Sequence, residues 1–163
     1  FLLFRRFLRR LAIRLALAND RKVVFEAFVD GHEVECAVIG SDPAVSTRPG
    51  EILAGAEFYT YDDKYKNGVS QTVIPAHLSE EKLDEVRAEA RKAYLALGCS
   101  GLSRCDFFVE RGTGRVLCNE LNTLPGFTSI SMYPKLMEHE GYSYPALVDK
   151  LLTLAVHRRK GAY

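Results

Sequence analysis

The chain changes hydrophobic period several times, and each change marks an element. From Phe1 to Leu17, residues Leu8, Leu11 and Leu15 with Ala12 and Ala18 share one face at helical spacing, and Asn19-Asp20 ends the run. Lys22 to Val29 is nearly continuous apolar sequence and predicts a buried strand, with a tight hairpin turn at Asp30-Gly31. His32 to Gly40 opens with polar and apolar residues alternating and predicts the partner strand. Ser41 to Pro49 reads as a polar loop, Glu51 to Ala56 as a short strand, and Thr72-Val73-Ile74 before Pro75 as an edge strand. Glu57 to Gly68, rich in tyrosine and charge, is too polar for a core element and reads as an ordered functional loop.

Ser79 then caps a helix with Glu80 and Glu81 in its first turn. Its apolar stripe is Leu83, Val86, Ala90, Ala93, Tyr94 and Leu97, and Gly98 stops it. Two strand-like runs follow, around the turn-forming Arg111-Gly112-Thr113-Gly114. Tyr133 to Glu140 predicts a short helix begun near Pro134. A last helix from Ser143, with Pro145 in its first turn, is expected to bury Leu147, Val148, Leu151, Leu152 and Ala155. Hairpin-joined strands with helices between them indicate an α+β fold, a largely antiparallel sheet flanked by helices.

The hairpin carries the densest chemistry. Side chains alternate along a strand, so Arg104 and Asp106 share one face, as do Glu120 and Asn122. If the hairpin is symmetric about Thr113, Asp106 lies opposite Glu120 and Arg104 opposite Asn122. Two acids directly across a ladder repel each other, which a hard oxygen-ligated cation such as Mg²⁺ relieves. A surface hairpin with one Arg–Asp pair fits the same residues. The Pro125-Gly126 turn directly after Asn122 favours the metal reading. Phe108 falls on the same face by alternation.

Composition narrows the partners. With 163 residues, 47% hydrophobic and 26% charged, the chain suits one domain with a sizeable core, or two small lobes. A net charge of +1 and no basic stripe in the body of the chain give no electrostatic reason to expect nucleic acid. The four cysteines (Cys36, Cys99, Cys105, Cys118) form no C-x-x-C pair. In the symmetric register Cys105 and Cys118 point to opposite faces, against a disulfide, and isolated thiols fit a reducing cytoplasm. The four histidines (His32, His77, His139, His157) fit no ligand or triad spacing and read as surface or structural. The opening helix is basic and amphipathic. Its arginines interrupt any span long enough for a bilayer, so a helix packing on a partner element is expected, not a membrane segment. The sequence lacks an initial methionine and is expected to begin inside a longer protein.

Four motifs, in order, carry a family resemblance: Val24-Phe25-Glu26-Ala27-Phe28-Val29-Asp30-Gly31-His32-Glu33; Tyr61-Asp62-Asp63-Lys64-Tyr65; Arg104-Cys105-Asp106; and Asn119-Glu120-Leu121-Asn122-Thr123-Leu124-Pro125-Gly126-Phe127-Thr128. The chain resembles the carboxyl-terminal part of D-alanine–D-alanine ligases, enzymes of the ATP-grasp fold. The resemblance implies two parts: residues 1–31 as a remnant of the central subdomain, and 32–163 as the carboxyl-terminal subdomain. It implies that Glu26 and the backbone near Phe28 and Val29 receive adenine, with Phe108 as a wall of that pocket, and that Glu33 receives the ribose. Ala27 departs from relatives that carry an acid or lysine there. Lys64 would reach the ATP phosphates and Tyr65 would line the acceptor region, on a loop that closes over the site.

By the same resemblance Asp106, Glu120 and Asn122 would hold two Mg²⁺ ions, with Mn²⁺ as a possible substitute. Arg104 and Gly126 would steady a tetrahedral intermediate, and Ser131 and Met132 would bind the second D-alanine's carboxylate. The expected partners are ATP, D-alanine, the missing amino-terminal half and a second copy in a homodimer. The expected activity is D-alanyl-D-alanine formation for peptidoglycan precursors, which this fragment would not carry out alone. Alternatives are a D-Ala–D-lactate or D-Ala–D-serine ligase, another ATP-grasp carboxylate–amine ligase, and a non-catalytic nucleotide-binding or dimerising fragment.

Overall fold

The computed structural model describes residues 2–41, 43–53 and 71–158. Their elements are α1 (Leu2–Leu17), β1 (Gly31–Gly40), β2 (Ala44–Ser46), β3 (Gly50–Leu53), β4 (Gln71–Val73), α2 (Glu80–Ala96), β5 (Gly101–Glu110), β6 (Val116–Asn122), α3 (Met132–His139) and α4 (Tyr144–His157). β1 is central because it is apolar on both faces: Val34, Cys36 and Val38 point one way, Ala37 and Ile39 the other, and all are buried. β5 pairs with its whole length, from Gly31 opposite Glu110 to Gly40 opposite Gly101. β3 and β2 take the other edge, at Val34–Glu35 and Val38–Gly40. The sheet runs β4-β3-β1-β5-β6 with every pairing antiparallel.

One face is covered by α2, whose Leu83, Val86, Ala90 and Tyr94 pack on Val34, Cys36, Val38, Cys105, Phe107 and Val109. Burying each such large side chain contributes about 1.5–3 kcal/mol. Ser79 caps α2 by accepting from the Lys82 N–H, and Gly98 at φ 65° turns the chain out of it. The opposite face is covered by α3 and α4 through Tyr133, Leu136, Met137 and Leu147, against Ala37 and Ile39. Two tyrosines reach β1 from the two sides: the Tyr94 hydroxyl donates to the Gly40 carbonyl at 2.8 Å and the Tyr133 hydroxyl to the Val38 carbonyl at 3.2 Å. Burial pushes both phenols well above the usual tyrosine range, so they remain donors. Tyr94→Phe is therefore expected to cost about 1 kcal/mol in urea unfolding. Unchanged stability would show that this bond contributes nothing net.

Several expectations fail. Residues 22–30 form no strand, and Val24, Phe25 and Phe28 are exposed. The hairpin across Asp30-Gly31 cannot form from Val34 onward because β5, β3 and β2 already occupy the edges of β1 there. The Ser41–Pro49 loop contains β2, whose three residues pair with β1 across a turn. In α4 only Leu147 is fully buried, with Leu151 and Leu154 half-buried beside it, while Val148, Leu152 and Ala155 are exposed. A helix lying on one neighbour buries a narrow stripe, here 147, 151 and 154, and leaves the next one out. Leu97 is exposed too, because it sits at the C-cap of α2.

α1 forms as expected, with Leu11, Ala12, Leu15 and Ala18 exposed. Among the described residues no helix is long and apolar enough to cross a membrane. All four cysteines are free. Burial pushes the Cys36 and Cys105 thiols up to about 12, which makes both unreactive core residues. His32 is structural, its Nδ1 2.5 Å from the buried Glu51, which also accepts the His77 backbone N–H at 3.0 Å.

Candidate functional site

Strand alternation and ladder register together assemble one polar sheet face. In β5–β6, Arg104 lies opposite Asn122 and Asp106 opposite Glu120, as the symmetric hairpin predicts. Beyond that pair the register shifts. Phe107 faces Cys118, leaving Asn119 as the extra residue of a bulge. The bulge keeps the site half in register and turns Cys118 to the face of Phe107 and Cys105, the reverse of the predicted arrangement. On the β1 side Glu33 lies opposite Phe108 and Glu35 opposite Asp106. Glu33, Glu35, Arg104, Asp106, Phe108, Glu120 and Asn122 therefore share one face of three neighbouring strands.

Arg104 is the centre of this face. Its Nε and Nη2 donate to the two carboxylate oxygens of Asp106 at 2.8 and 2.7 Å. The same guanidinium lies 3.2 Å from a Glu35 oxygen and 3.9 Å from one of Glu120. Hydrogen bonding to Asp106 raises the Arg104 pKa above the ordinary arginine value against the opposing effect of burial, with Glu35, Asp106 and Glu120 adding Coulombic support. Glu35 and Asp106 are only 4% and 6% exposed, whereas Glu120 reaches solvent. Three carboxylates lie within 4 Å of the one guanidinium and Glu33 adds a fourth to the same face, so acidic groups outnumber basic ones among these seven residues.

That imbalance, with oxygen as the available ligand atom, fits a hard divalent cation. Among the described residues no three His, Cys, Asp or Glu side chains converge into a closed metal cage. A cation that takes one or two carboxylates and completes its shell with phosphate and water needs none. Asn122 is pre-oriented, its Oδ1 accepting the Leu124 N–H at 3.1 Å. The same bond starts the turn that carries the chain from β6 to Gly126.

Gly126 lies against Ser131, and a Cβ added there would stand 2.8 Å from the Ser131 Oγ. That oxygen accepts the Thr128 N–H at 3.1 Å and lies 2.9 Å from the Thr128 hydroxyl. Ser131 is the N-cap of α3 but makes no side-chain cap hydrogen bond; its oxygen accepts from the loop instead. Met132, the first helical residue, buries its side chain in the core. The N–H groups of a helix's first turn have no intrahelical acceptor, so its backbone suits an anion.

The remaining expected residues are dispersed. Glu26 is exposed, Phe28 is 92% exposed and Val29 is half-buried, all in the irregular segment before β1. Lys64 and Tyr65 lie outside the described residues. A cleft of about 450 Å³ lined by Phe127, Thr128, Lys135 and Tyr144 opens beside the loop, and none of Arg104, Asp106, Glu120 and Asn122 lines it. Glu35 is the residue sequence reasoning missed. In sequence, His32-Glu33-Val34-Glu35 shows only that two acids share a face opposite the apolar Val34 and Cys36; the ladder to β5 brings Glu35 to Asp106.

Residues 8–153 match the family described as D-ala D-ala ligase C-terminus. The chain is 54% identical over 147 residues to a D-alanine–D-alanine ligase of Acetivibrio thermocellus, covering 90% of this chain and 39% of that protein. Among solved structures, the VanG D-Ala:D-Ser ligase of Enterococcus faecalis superposes with a TM-score of 0.77 at 40% identity, over 89% of this chain and 42% of that one. The D-alanine–D-alanine ligase of Bacillus anthracis complexed with ATP superposes at 0.65 with 27% identity, over 80% and 40%. The chain thus spans less than half the length of the relatives it matches.

Proposed function

The chain belongs to the D-alanine–D-alanine ligase family through its carboxyl-terminal segment, and on that premise we propose that it supplies the ATP–magnesium and acceptor side of an ATP-dependent ligation of two D-alanines. The observation that carries the reading is the convergence of Arg104, Asp106, Glu120 and Asn122 on one face, with the Gly126–Ser131 loop following directly from Asn122. In the reaction, the γ-phosphoryl group of ATP passes to a carboxylate oxygen of the first D-alanine, giving an acyl-phosphate and ADP. The amine of the second attacks that carbonyl carbon, loses a proton, and the tetrahedral adduct collapses with loss of phosphate. No protein nucleophile is needed; the chain's contribution is positioning and charge.

Asp106, Glu120 and Asn122 would hold two Mg²⁺ ions, which offset phosphate charge when bound. Arg104, fixed by two buried carboxylates, is aimed at the oxyanion and does not have to reorganise as charge develops. Ser131 Oγ and the Met132 N–H receive the acceptor carboxylate, and Gly126 lets the backbone approach the reacting oxygen. Glu33 and Phe108, adjacent across β1–β5, suit the ribose and adenine ends of the nucleotide. Glu26 and the backbone of Phe28 and Val29 would complete the adenine side, Lys64 would reach the ATP phosphates and Tyr65 would line the acceptor region. We assign residues 1–31 to the neighbouring subdomain on the resemblance; of these, residues 22–30 carry no strand and Gly31 opens β1. The missing half supplies the first D-alanine's site. Four free thiols suit the cytoplasm, where peptidoglycan precursors are made.

Calorimetric titration of the chain with Mg²⁺–ATP is expected to show binding, while a phosphate-release assay with ATP, Mg²⁺ and D-alanine shows no turnover. Absence of binding removes the nucleotide reading; robust turnover removes the fragment reading. Light scattering on the same samples tests for the homodimer. Similarity to a D-Ala:D-Ser ligase supports a second reading of the acceptor, decided by assaying D-alanine, D-serine and D-lactate in a full-length enzyme carrying this segment. In that enzyme Gly126→Ala is expected to raise the acceptor KM roughly tenfold, because the new methyl displaces the Ser131 hydroxyl from a charged partner. Stability should change by only about 0.5 kcal/mol at this exposed turn. An unchanged KM would remove Ser131 from the acceptor site.

A further inference from the structure

Glu35 is a buried acid to which the proposed reaction gives no contact with ATP, D-alanine or metal. It lies directly opposite Asp106 in the β1–β5 ladder, 3.2 Å from the Arg104 Nε, on the site face. Both oxygens of Asp106 are occupied by Arg104. Any cation that takes Asp106 as a ligand must therefore compete with the guanidinium for lone pairs and repel it at short range. If Asp106 were its only anchor, Arg104 would leave the face whenever the metal arrived, and the oxyanion would lose its cation. Glu120 cannot substitute as anchor: it is solvent-exposed, 3.9 Å away, and is itself on the metal side.

We propose that Glu35 is a positioning residue, the carboxylate that retains Arg104 on the sheet face when Asp106 turns to a divalent cation. This rests on the metal reading above. Its burial is what makes it suitable, since a carboxylate in a low-dielectric layer holds a guanidinium against displacement better than one in water. Glu35 is placed to do so without a backbone change, because it already contacts Arg104 before any metal is present. In the metal-free state Arg104 thus serves as the cation of the site, and on metal binding its hydrogen bonds shift from Asp106 toward Glu35.

The test follows the Arg104 Nε–H resonance in the 163-residue chain labelled with nitrogen-15 arginine, with and without Mg²⁺–ATP. In the wild type the resonance is expected to shift on addition and stay slowly exchanging. In Glu35→Gln it is expected to look native without metal and to be lost on addition. Glu35→Asp should restore part of the signal, a rescue that a merely structural role would not produce, and it serves also if the glutamine variant fails to fold. Retention of the signal in Glu35→Gln, or its loss in the wild type, overturns the proposal. A wild-type resonance indifferent to Mg²⁺–ATP overturns the metal reading and this proposal with it, so the two failures are distinguishable.

Discussion

Arg104→Met is expected to cost about 3–5 kcal/mol in denaturant unfolding, and Mg²⁺ should return part of that loss. The substitution keeps most of the side-chain volume, so the cost reports charge. It leaves Asp106 and Glu35 buried, close and of like sign, where the wild type has one guanidinium between them. Glu120 adds little to the penalty because it is exposed and screened. Removing one partner of a buried ionic set costs more than removing the whole set, since the orphaned charges remain. A divalent cation supplies what the variant lacks. Mg²⁺ should therefore stabilise Arg104→Met more than it stabilises the wild type. Arg104→Lys should fall between the two, because an ammonium cannot fork onto both Asp106 oxygens. Wild-type stability in the methionine variant, or equal Mg²⁺ effects in both, would remove Arg104 as the hub of this face.

The hairpin was readable in sequence because two simple rules coincide there. Alternation fixed which residues share a face, and the turn centred near Thr113 fixed which residues meet. The bulge at Asn119 was not readable, since nothing in Cys118-Asn119-Glu120 signals an extra residue. Its consequence is confined to the loop side, where Cys118 changes face and the site pairs do not. α2 was legible for similar reasons, with cap, dipole-compatible acids, stripe and stop all agreeing. The short strand Ala44–Ser46 was hidden by its polar and proline neighbours, because only the free edge of β1 makes a strand of it.

Residues 22–29 show the opposite error. Their apolar run satisfied a strand pattern, yet a pattern cannot say whether an edge is open to receive it, and from Val34 onward the edges of β1 are taken by β5, β3 and β2. The site residues on that segment, Glu26, Phe28 and Val29, rest on resemblance alone. Glu35 was missed for a different reason. It reads as one more polar position in an alternating strand until the β1–β5 register sets it opposite Asp106. A buried acid is informative only once its burial is known, and burial is a property of the whole sheet.

Asp106→Asn is expected to weaken Mn²⁺ binding in the presence of ATP by about 100-fold or more, read by calorimetry or by the Mn²⁺ paramagnetic signal. Losing a partner that merely orients a ligand costs roughly 10–100-fold in metal affinity, so losing a ligand belongs at or above that upper end. The amide preserves shape and keeps one oxygen, but it removes a carboxylate charge that attracts a divalent ion to this face. It also leaves Arg104 with Glu35 as its near carboxylate, so the guanidinium is retained and folding should suffer less than in Arg104→Met. The two variants are thus expected to rank in opposite orders: Arg104→Met worse in stability, Asp106→Asn worse in metal affinity. Glu120→Gln should weaken binding less, because its exposed carboxylate is already screened by water. An Asp106→Asn chain that binds Mn²⁺ as the wild type does would make the Arg104–Asp106 pair a structural salt bridge and move the metal elsewhere.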